Sequence, residues 1–170
     1  SVRKQKLSES YGFSCDCPRC NDPTFDELLL AGTTEEKKLK FISCQEKYDL
    51  YVNHPLPTTC KEALKKFEDF IEHSRLPEAN WMNIAVRRCL IDTYLAAKEY
   101  YEDLKQVKGV KEIKKKLVQV LILQVKTNEQ FLPKYHNEKL IDFTTLEVLD
   151  KSAIPAQYIS VYNELQKMFK

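Results

Sequence analysis

Three of the six cysteines in this 170-residue chain lie within six consecutive positions, as Cys15, Cys17 and Cys20, with the spacing C-x-C-x-x-C. Cys15 and Cys17 are two residues apart, so their side chains point to the same side of an extended segment. The run from Cys17 to Cys20 has the C-x-x-C spacing typical of structural zinc, and Pro18 favours the turn that returns the last sulfur. Three thiolates fill three corners of a tetrahedron. The pattern therefore predicts a zinc site that takes its fourth ligand from elsewhere.

Two alternatives compete with a metal site. Free cysteines often act as small buried apolar side chains, but the polar neighbours Asp16, Arg19 and Asn21 do not suit a core. Disulfide pairing within so short a run is geometrically poor and leaves one cysteine over. The clustered spacing favours a reducing compartment and metal binding over a disulfide scaffold.

The composition favours a soluble helical protein. The chain has only three glycines, whereas all-β and doubly wound folds need many glycine turns. The net charge of +2 gives no argument for nucleic-acid binding. No apolar run is long enough to span a membrane, and the charged segment Ser1–Ser10 is not a secretory signal. We expect a cytoplasmic or nuclear protein, and we expect the chain to be a fragment of a longer one.

The rest of the chain divides into helices at turns marked by proline or glycine. Thr58 or Thr59 is the predicted cap of the clearest amphipathic helix, which Leu76-Pro77 stops. The other predicted helices are Phe25–Leu30, Thr34–Val52, Glu78–Val107, Val110–Leu132, Glu138–Leu149 and Ala156–Phe169.

Two of these helices have alternatives at the sequence level. The segment Glu78–Val107 is one long helix or two helices that meet near Lys98, and Gly109 separates it from the next. The β-branched run Val118–Leu123 also suits a buried strand, but the helical period continues on both sides and favours a helix. The predicted fold is therefore all-α, an antiparallel helical array preceded by a small cysteine-rich lobe.

The amino-terminal run also resembles a known family. Written as R-x3-L-x3-Y-x-F-x-C-x-C-x2-C, it is similar to the post-SET segment of SET-domain lysine methyltransferases, and most of all to the SET-and-MYND (SMYD) group. The residues that carry this resemblance are Arg3, Leu7, Tyr11, Phe13, Cys15, Cys17 and Cys20. The resemblance is specific because it combines a thiol pattern with an aromatic pair at fixed offsets, but it covers only about the first 20 residues.

The resemblance implies roles for individual residues. Cys15, Cys17 and Cys20 would be three zinc ligands, and the fourth would be a cysteine of the SET core, in an asparagine-histidine-cysteine segment that this chain does not contain. Tyr11 would line the channel for the substrate lysine, and Phe13 would stack near the adenine of S-adenosylmethionine. Aromatic walls suit both ligands, through cation–π attraction and stacking. Without the resemblance, the simpler role of both aromatic residues is to pack the zinc lobe.

The resemblance also implies a domain organisation and a function. Residues 1–23 would form a post-SET zinc-binding segment, and residues 24–170 a helical C-terminal domain similar to tetratricopeptide repeats (TPR-like). The parent protein would methylate histone or non-histone lysines, and the helices would limit substrate access and bind a chaperone or another protein partner. This chain alone lacks the SET core and is expected to be inactive. The alternative is a non-catalytic zinc-plus-helix interaction module.

The remaining candidates have simpler explanations. His54, His73 and His136 are scattered and form no paired metal motif. Cys44, Cys60 and Cys89 lie on helical faces and suit burial, although Cys44 is an alternative fourth zinc ligand if a SET core is absent. A basic run is more often a solvated helix face than a site for an acidic partner. This run consists of Lys108, Lys111, Lys114, Lys115 and Lys116.

Overall fold

A computed structural model describes residues 2–21 and 24–131, together with 154, 156, 159–160 and 162–163. These residues form helices and no strand, which confirms the all-α prediction. The helices are α1 (Val2–Tyr11), α2 (Pro18–Asn21), α3 (Thr24–Leu30), α4 (Glu35–Asn53), α5 (Pro57–His73), α6 (Trp81–Asp103) and α7 (Val107–Phe131).

Two predicted helices near the C-terminus are covered little or not at all. The predicted helix Glu138–Leu149 lies outside the described residues. Of the predicted helix Ala156–Phe169, residues 156, 159–160 and 162–163 are described; residue 156 is in a 3₁₀ turn and the other four are α-helical.

The core lies between the four long helices α4 to α7. Each of them packs mainly on the next one along the chain, and α4 also reaches α6. The connections between them are short, so neighbouring helices reverse direction. Burying each large apolar side chain contributes about 1.5–3 kcal/mol, and these interfaces contain many of them. The most deeply buried ones include Phe67, Met82, Val86, Leu117, Val118, Leu121, Ile122 and Val125.

The fully buried Asn80 fixes the start of α6. Its Oδ1 accepts a hydrogen bond from the backbone N–H of Met82 at 2.9 Å, which caps the helix. Its Nδ2 donates to the carbonyl of Ala31 at 2.9 Å and to Oγ1 of Thr33 at 3.0 Å. One side chain therefore joins the helix start to the connection between α3 and α4.

The predicted cap of α5 is wrong by a few residues. The helix begins at Pro57, where the fixed φ of proline suits the first helical position, and its N-cap is Leu56. Thr59 lies three residues into the helix. Its hydroxyl accepts from the N–H of Leu56 at 3.1 Å and donates to the carbonyl of His54 at 2.6 Å. Thr59 therefore closes the turn from inside the helix.

The predicted boundary at Gly109 is also wrong. Helix α6 runs without a break past Lys98 to Asp103, and Lys105, with φ of 54°, makes the turn before α7. Gly109 lies inside α7, where a Cβ atom would be 2.9 Å from Cδ1 of Tyr101. The glycine permits this close approach of α7 to the end of α6. The run Val118–Leu123 is helical, as predicted.

A buried arginine joins α6 to α7. The side chain of Arg87 is almost fully buried; its Nε donates to Oε1 of Gln124 at 2.9 Å, and its Nη2 donates to the carbonyl of Glu78 at 2.6 Å. Burial lowers the pKa of Arg87 to about 10. The guanidinium is therefore held by neutral acceptors, whose geometry fixes how the two helices face each other.

A second polar contact joins three helices. The hydroxyl of the buried Tyr94 (α6) donates to Oε1 of Glu68 (α5), and Nζ of Lys116 (α7) donates to the same oxygen at 2.9 Å. Burial and the hydrogen bond to Glu68 raise the pKa of Tyr94 above its ordinary range. One carboxylate therefore holds α5, α6 and α7 in register.

Two leucines test the position of the core. Leu117 is 0% exposed and Leu39 is 66% exposed, and both lie inside helices. We expect Leu117→Ala to lower the free energy of unfolding by about 2–5 kcal/mol, because it leaves a cavity. The matched control Leu39→Ala should change it by less than about 0.5 kcal/mol. Urea denaturation measures both, and equal losses would contradict the packing.

Tyr94 should make the protein sensitive to alkali. Above about pH 10 the unfolded chain loses the tyrosine proton, whereas the folded protein retains it, so stability falls as the pH rises. In Tyr94→Phe we expect a shallower loss of stability as the pH rises above about 10. Burial raises the pKa values of Cys44 and Cys89 to about 11, so these thiols contribute to the loss in both proteins. If the free energy of unfolding falls equally steeply with pH in the two proteins, the result would be evidence against the Tyr94 contribution.

Candidate metal centre

The three clustered cysteines come together in the folded chain. The Sγ atoms of Cys15, Cys17 and Cys20 all lie within 4.8 Å of one another. Cys20 is 1% exposed, and Cys15 and Cys17 are half-buried. We call this group the cysteine trio. It can hold a metal ion, with one sulfur on the inner side and two nearer to solvent.

Two turns bring the sulfurs together. Helix α1 ends at Tyr11, and the next residue is Gly12, whose φ of 68° suits glycine and whose N–H donates to the carbonyl of Ser8 at 3.0 Å. The chain then runs without regular structure to Cys17. The N–H groups of Cys20 and Asn21 donate to the Cys17 carbonyl at 2.9 and 3.1 Å, so the single turn of α2 returns Cys20 to Cys17.

A polar contact closes the trio against α1. Nζ of Lys4 lies 2.6 Å from Oδ1 of Asp16 and 3.4 Å from Oδ1 of Asn21. Nδ2 of Asn21 in turn donates to the carbonyl of Asp16 at 3.0 Å. The hydrogen bond to Asp16 is the main cause that raises the pKa of Lys4. We call these three residues the lysine clasp. It was not predicted, because nothing in the spacing of these residues indicates the contact.

The electrostatics of the trio suit a cation. Burial, followed by hydrogen bonds to Cys15 and Cys17, raises the pKa of the Cys20 thiol to about 11. Three negative sulfurs this close would repel one another, which disfavours three thiolates in the absence of a cation. A divalent ion favours the thiolate form instead of the thiol, because it stabilises the thiolates that bind it.

The distances in the trio are compatible with zinc. Zn–S bonds of about 2.3 Å in a tetrahedron place neighbouring sulfurs about 3.8 Å apart. The three Sγ atoms lie within 4.8 Å of one another, so a zinc ion would have to draw them together by at most about one ångström. Within residues 2–21 and 24–131, no carboxylate, histidine or fourth cysteine joins the group.

Cys44 does not supply the missing ligand in this structure. It is buried in α4, and its Sγ donates to the carbonyl of Lys66 in α5 at 3.8 Å. Cys60 is also buried, and its Sγ donates to the carbonyl of Thr93 at 3.9 Å, whereas Cys89 is half-buried in α6. These cysteines have the packing roles that were predicted for them. His136 lies outside the described residues.

The two aromatic site candidates lie beside the trio and face solvent. Tyr11 ends α1 and is 75% exposed, and Phe13 follows Gly12 and is 51% exposed. A residue that packs the interior of a small lobe loses most of its exposure. Neither aromatic ring packs in this way, so both are available to a ligand or to another protein surface.

The basic run lies mostly on the solvent side of α7. Lys108, Lys111 and Lys115 are exposed. Nζ of Lys114 lies 3.7 Å from Oε1 of Glu102, and Nζ of Lys116 forms an ion pair with Oε1 of Glu68. The run therefore has the character of a solvated helix face with some links to the neighbouring helices.

The helical array also contains an open apolar cavity. It has a volume of about 420 Å³ and lies where the end of α4, the start of α5 and the end of α6 meet. Its walls include Tyr51, Leu56, Tyr100, Tyr101 and Leu104. Leu56, Tyr100 and Leu104 are substantially exposed, so the cavity is accessible from solvent.

Comparison with known proteins identifies no relative. No protein-family model matches this chain, and neither a curated protein nor a solved structure is significantly similar to it. None of the described helices combines the length and apolar character needed to cross a lipid bilayer.

The trio predicts a separable metal site. We expect the reduced protein to bind one zinc ion, and Cys17→Ser to bind it much more weakly because one of three sulfur donors is lost. Amide hydrogen exchange in residues 13–21 should speed up, while far-ultraviolet circular dichroism stays unchanged, because α4–α7 do not depend on the trio. The matched control Cys89→Ser removes a thiol outside the trio and should retain zinc. Equal zinc affinity in the two variants would show that the trio is not the site.

Proposed function

We propose that this chain is the C-terminal part of an S-adenosylmethionine-dependent protein-lysine N-methyltransferase. In this proposal residues 1–23 form a post-SET zinc lobe, and residues 24–170 form a TPR-like helical domain. The single observation that supports it best is the combination at residues 11–20. Two solvent-facing aromatic rings adjoin three converging sulfurs, at the offsets of the SMYD post-SET segment.

Zinc has a structural role in the proposal. Cys15, Cys17 and Cys20 would hold it, and a cysteine of the SET core would complete its coordination. The bound ion would replace the repulsion among three thiolates with attraction to one centre. It would thereby join the lobe to the catalytic core, and the lysine clasp would keep α1 in place beside it.

Tyr11 and Phe13 would act by positioning. When bound, S-adenosylmethionine supplies an electrophilic methyl group, and the reaction needs the lysine amine in line with it. Phe13 would stack on the adenine, and Tyr11 would form one wall of the lysine channel, where its ring attracts the incoming ammonium. Both rings are exposed in this chain, as expected for walls whose opposite side belongs to another domain.

The helical domain would limit access to the channel and bind partners. Substrates would be histone or non-histone lysines, a chaperone or another protein would bind the helices, and the protein would be cytoplasmic, nuclear or both. Leu56, Tyr100 and Leu104 form an exposed apolar surface at this cavity, which supports a protein-binding role. The same cavity supports the second candidate function, a non-catalytic zinc-plus-helix interaction module.

Cofactor affinity in the parent protein tests the proposal. We expect Phe13→Ala to weaken S-adenosylmethionine binding by roughly tenfold, because adenine loses its stacking partner. Isothermal titration calorimetry measures the affinity. Tyr100→Ala, which changes an exposed aromatic residue of the helical domain, should leave cofactor affinity unchanged.

The possible outcomes separate the two candidate functions. Unchanged cofactor affinity in Phe13→Ala would reject the role of Phe13. A parent protein that retains zinc but binds no S-adenosylmethionine would leave the interaction module as the function.

A further inference from the structure

The cysteine trio has an unusual donor set. Three sulfurs come from one segment of six residues, and no fourth donor joins them within residues 2–21 and 24–131. Zinc in structural sites takes four ligands. The segment by itself supplies three sulfurs, so it suits an ion that binds three sulfurs and needs no fourth donor.

We propose that the trio binds trivalent arsenic, taken up as arsenite, and that arsenite displaces zinc from it. The displacement rests on the zinc lobe of the proposed function, whereas the arsenite site rests on the trio alone. Trivalent arsenic forms three pyramidal bonds and carries a lone pair at the fourth corner. Thiolate sulfur is the soft donor that such an ion prefers.

The binding step is an exchange without oxidation or reduction. Arsenous acid, As(OH)3, meets the thiols of Cys15, Cys17 and Cys20. Three As–O bonds break, three As–S bonds form, and each departing hydroxide leaves as water with one thiol proton. Arsenic remains trivalent, and no other reactant is needed. When zinc is bound, the three sulfurs carry no protons. The three hydroxides then take their protons from solvent water or buffer, and zinc leaves as the divalent ion.

The solvent exposure of its thiols and the short distances between its sulfurs favour arsenite binding at the trio over the other cysteines of the chain. Cys15 and Cys17 are half-buried and can start the exchange, and Cys20 lies within 4.8 Å to complete it. The other three cysteines do not belong to any such group. A single As–S bond is readily reversed by water, whereas three bonds to one ion must break together, as in other multivalent binding.

The exchange would change how the lobe connects to its surroundings. Zinc reaches a fourth ligand outside the trio, whereas arsenic bound by three sulfurs has no position left for one. Residues 15–20 would remain closed on themselves, while their link to a donor elsewhere is lost. Arsenite would therefore release the lobe without unfolding it.

Titration of the reduced full chain with sodium arsenite tests the proposal. Native mass spectrometry should show one arsenic per chain with the loss of three water molecules, and arsenite should release bound zinc to a colorimetric chelator. Cys17→Ser and Cys20→Ser should each bind arsenite at least about tenfold more weakly. The matched control is a triple variant in which Cys44, Cys60 and Cys89 are replaced by serine, and it should bind like the parent chain.

A second measurement uses the unaltered chain, so it does not depend on the folding of any variant. Arsenite should protect Cys15, Cys17 and Cys20 from iodoacetamide and leave the labelling of the other cysteines unchanged. Protection elsewhere, or equal affinity in the trio variants and the triple control, would overturn the arsenite site. Zinc binding without arsenite binding would also overturn it while leaving the zinc lobe intact. Arsenite binding without zinc binding would support the trio site and overturn the displacement and the zinc lobe.

Discussion

The burial of α6 is the constraint on which the helical array depends. Its buried side chains meet α5 on one side and α7 on the other, and α4 also reaches it. Two polar side chains of α6 form hydrogen bonds in the same interfaces. Arg87 donates to Gln124 of α7, and Tyr94 donates to Glu68 of α5. Unsatisfied polar groups in such positions would be costly. The apolar contacts thus supply the stability, and the polar ones fix the relative positions of the helices.

The amino-terminal lobe follows a different principle. It has little apolar interior, and its shape depends on a glycine turn, one turn of helix and the lysine clasp. Exposed ion pairs such as Lys4–Asp16 contribute only about 0–1 kcal/mol, so the clasp is a weak restraint. Metal binding would contribute most of the free energy that folds this lobe, whereas buried apolar side chains stabilise the array.

Much of this arrangement could be predicted from the sequence, and the exceptions have physical causes. Proline and glycine marked most helix ends, and the spacing of the cysteines predicted the trio. In α4 the apolar residues lie on two faces, since Phe41 and Cys44 are buried while Leu39 and Ile42 are exposed, so their spacing does not mark a single buried face. Gly109 does not mark a helix end, because its reason for being glycine is a contact with Tyr101 in the preceding helix α6. The lysine clasp joins residues of three separate segments, and no local pattern records such a contact.

The contact between Gly109 and Tyr101 also sets the shape of the molecule's surface. Tyr101 lines two cavities of the helical array, and Gly109 lines one of them. A Cβ atom at position 109 would lie 2.9 Å from Cδ1 of this ring, so the glycine leaves the ring room to stand where it borders both. Any larger residue at position 109 would therefore push against a wall that the two cavities share.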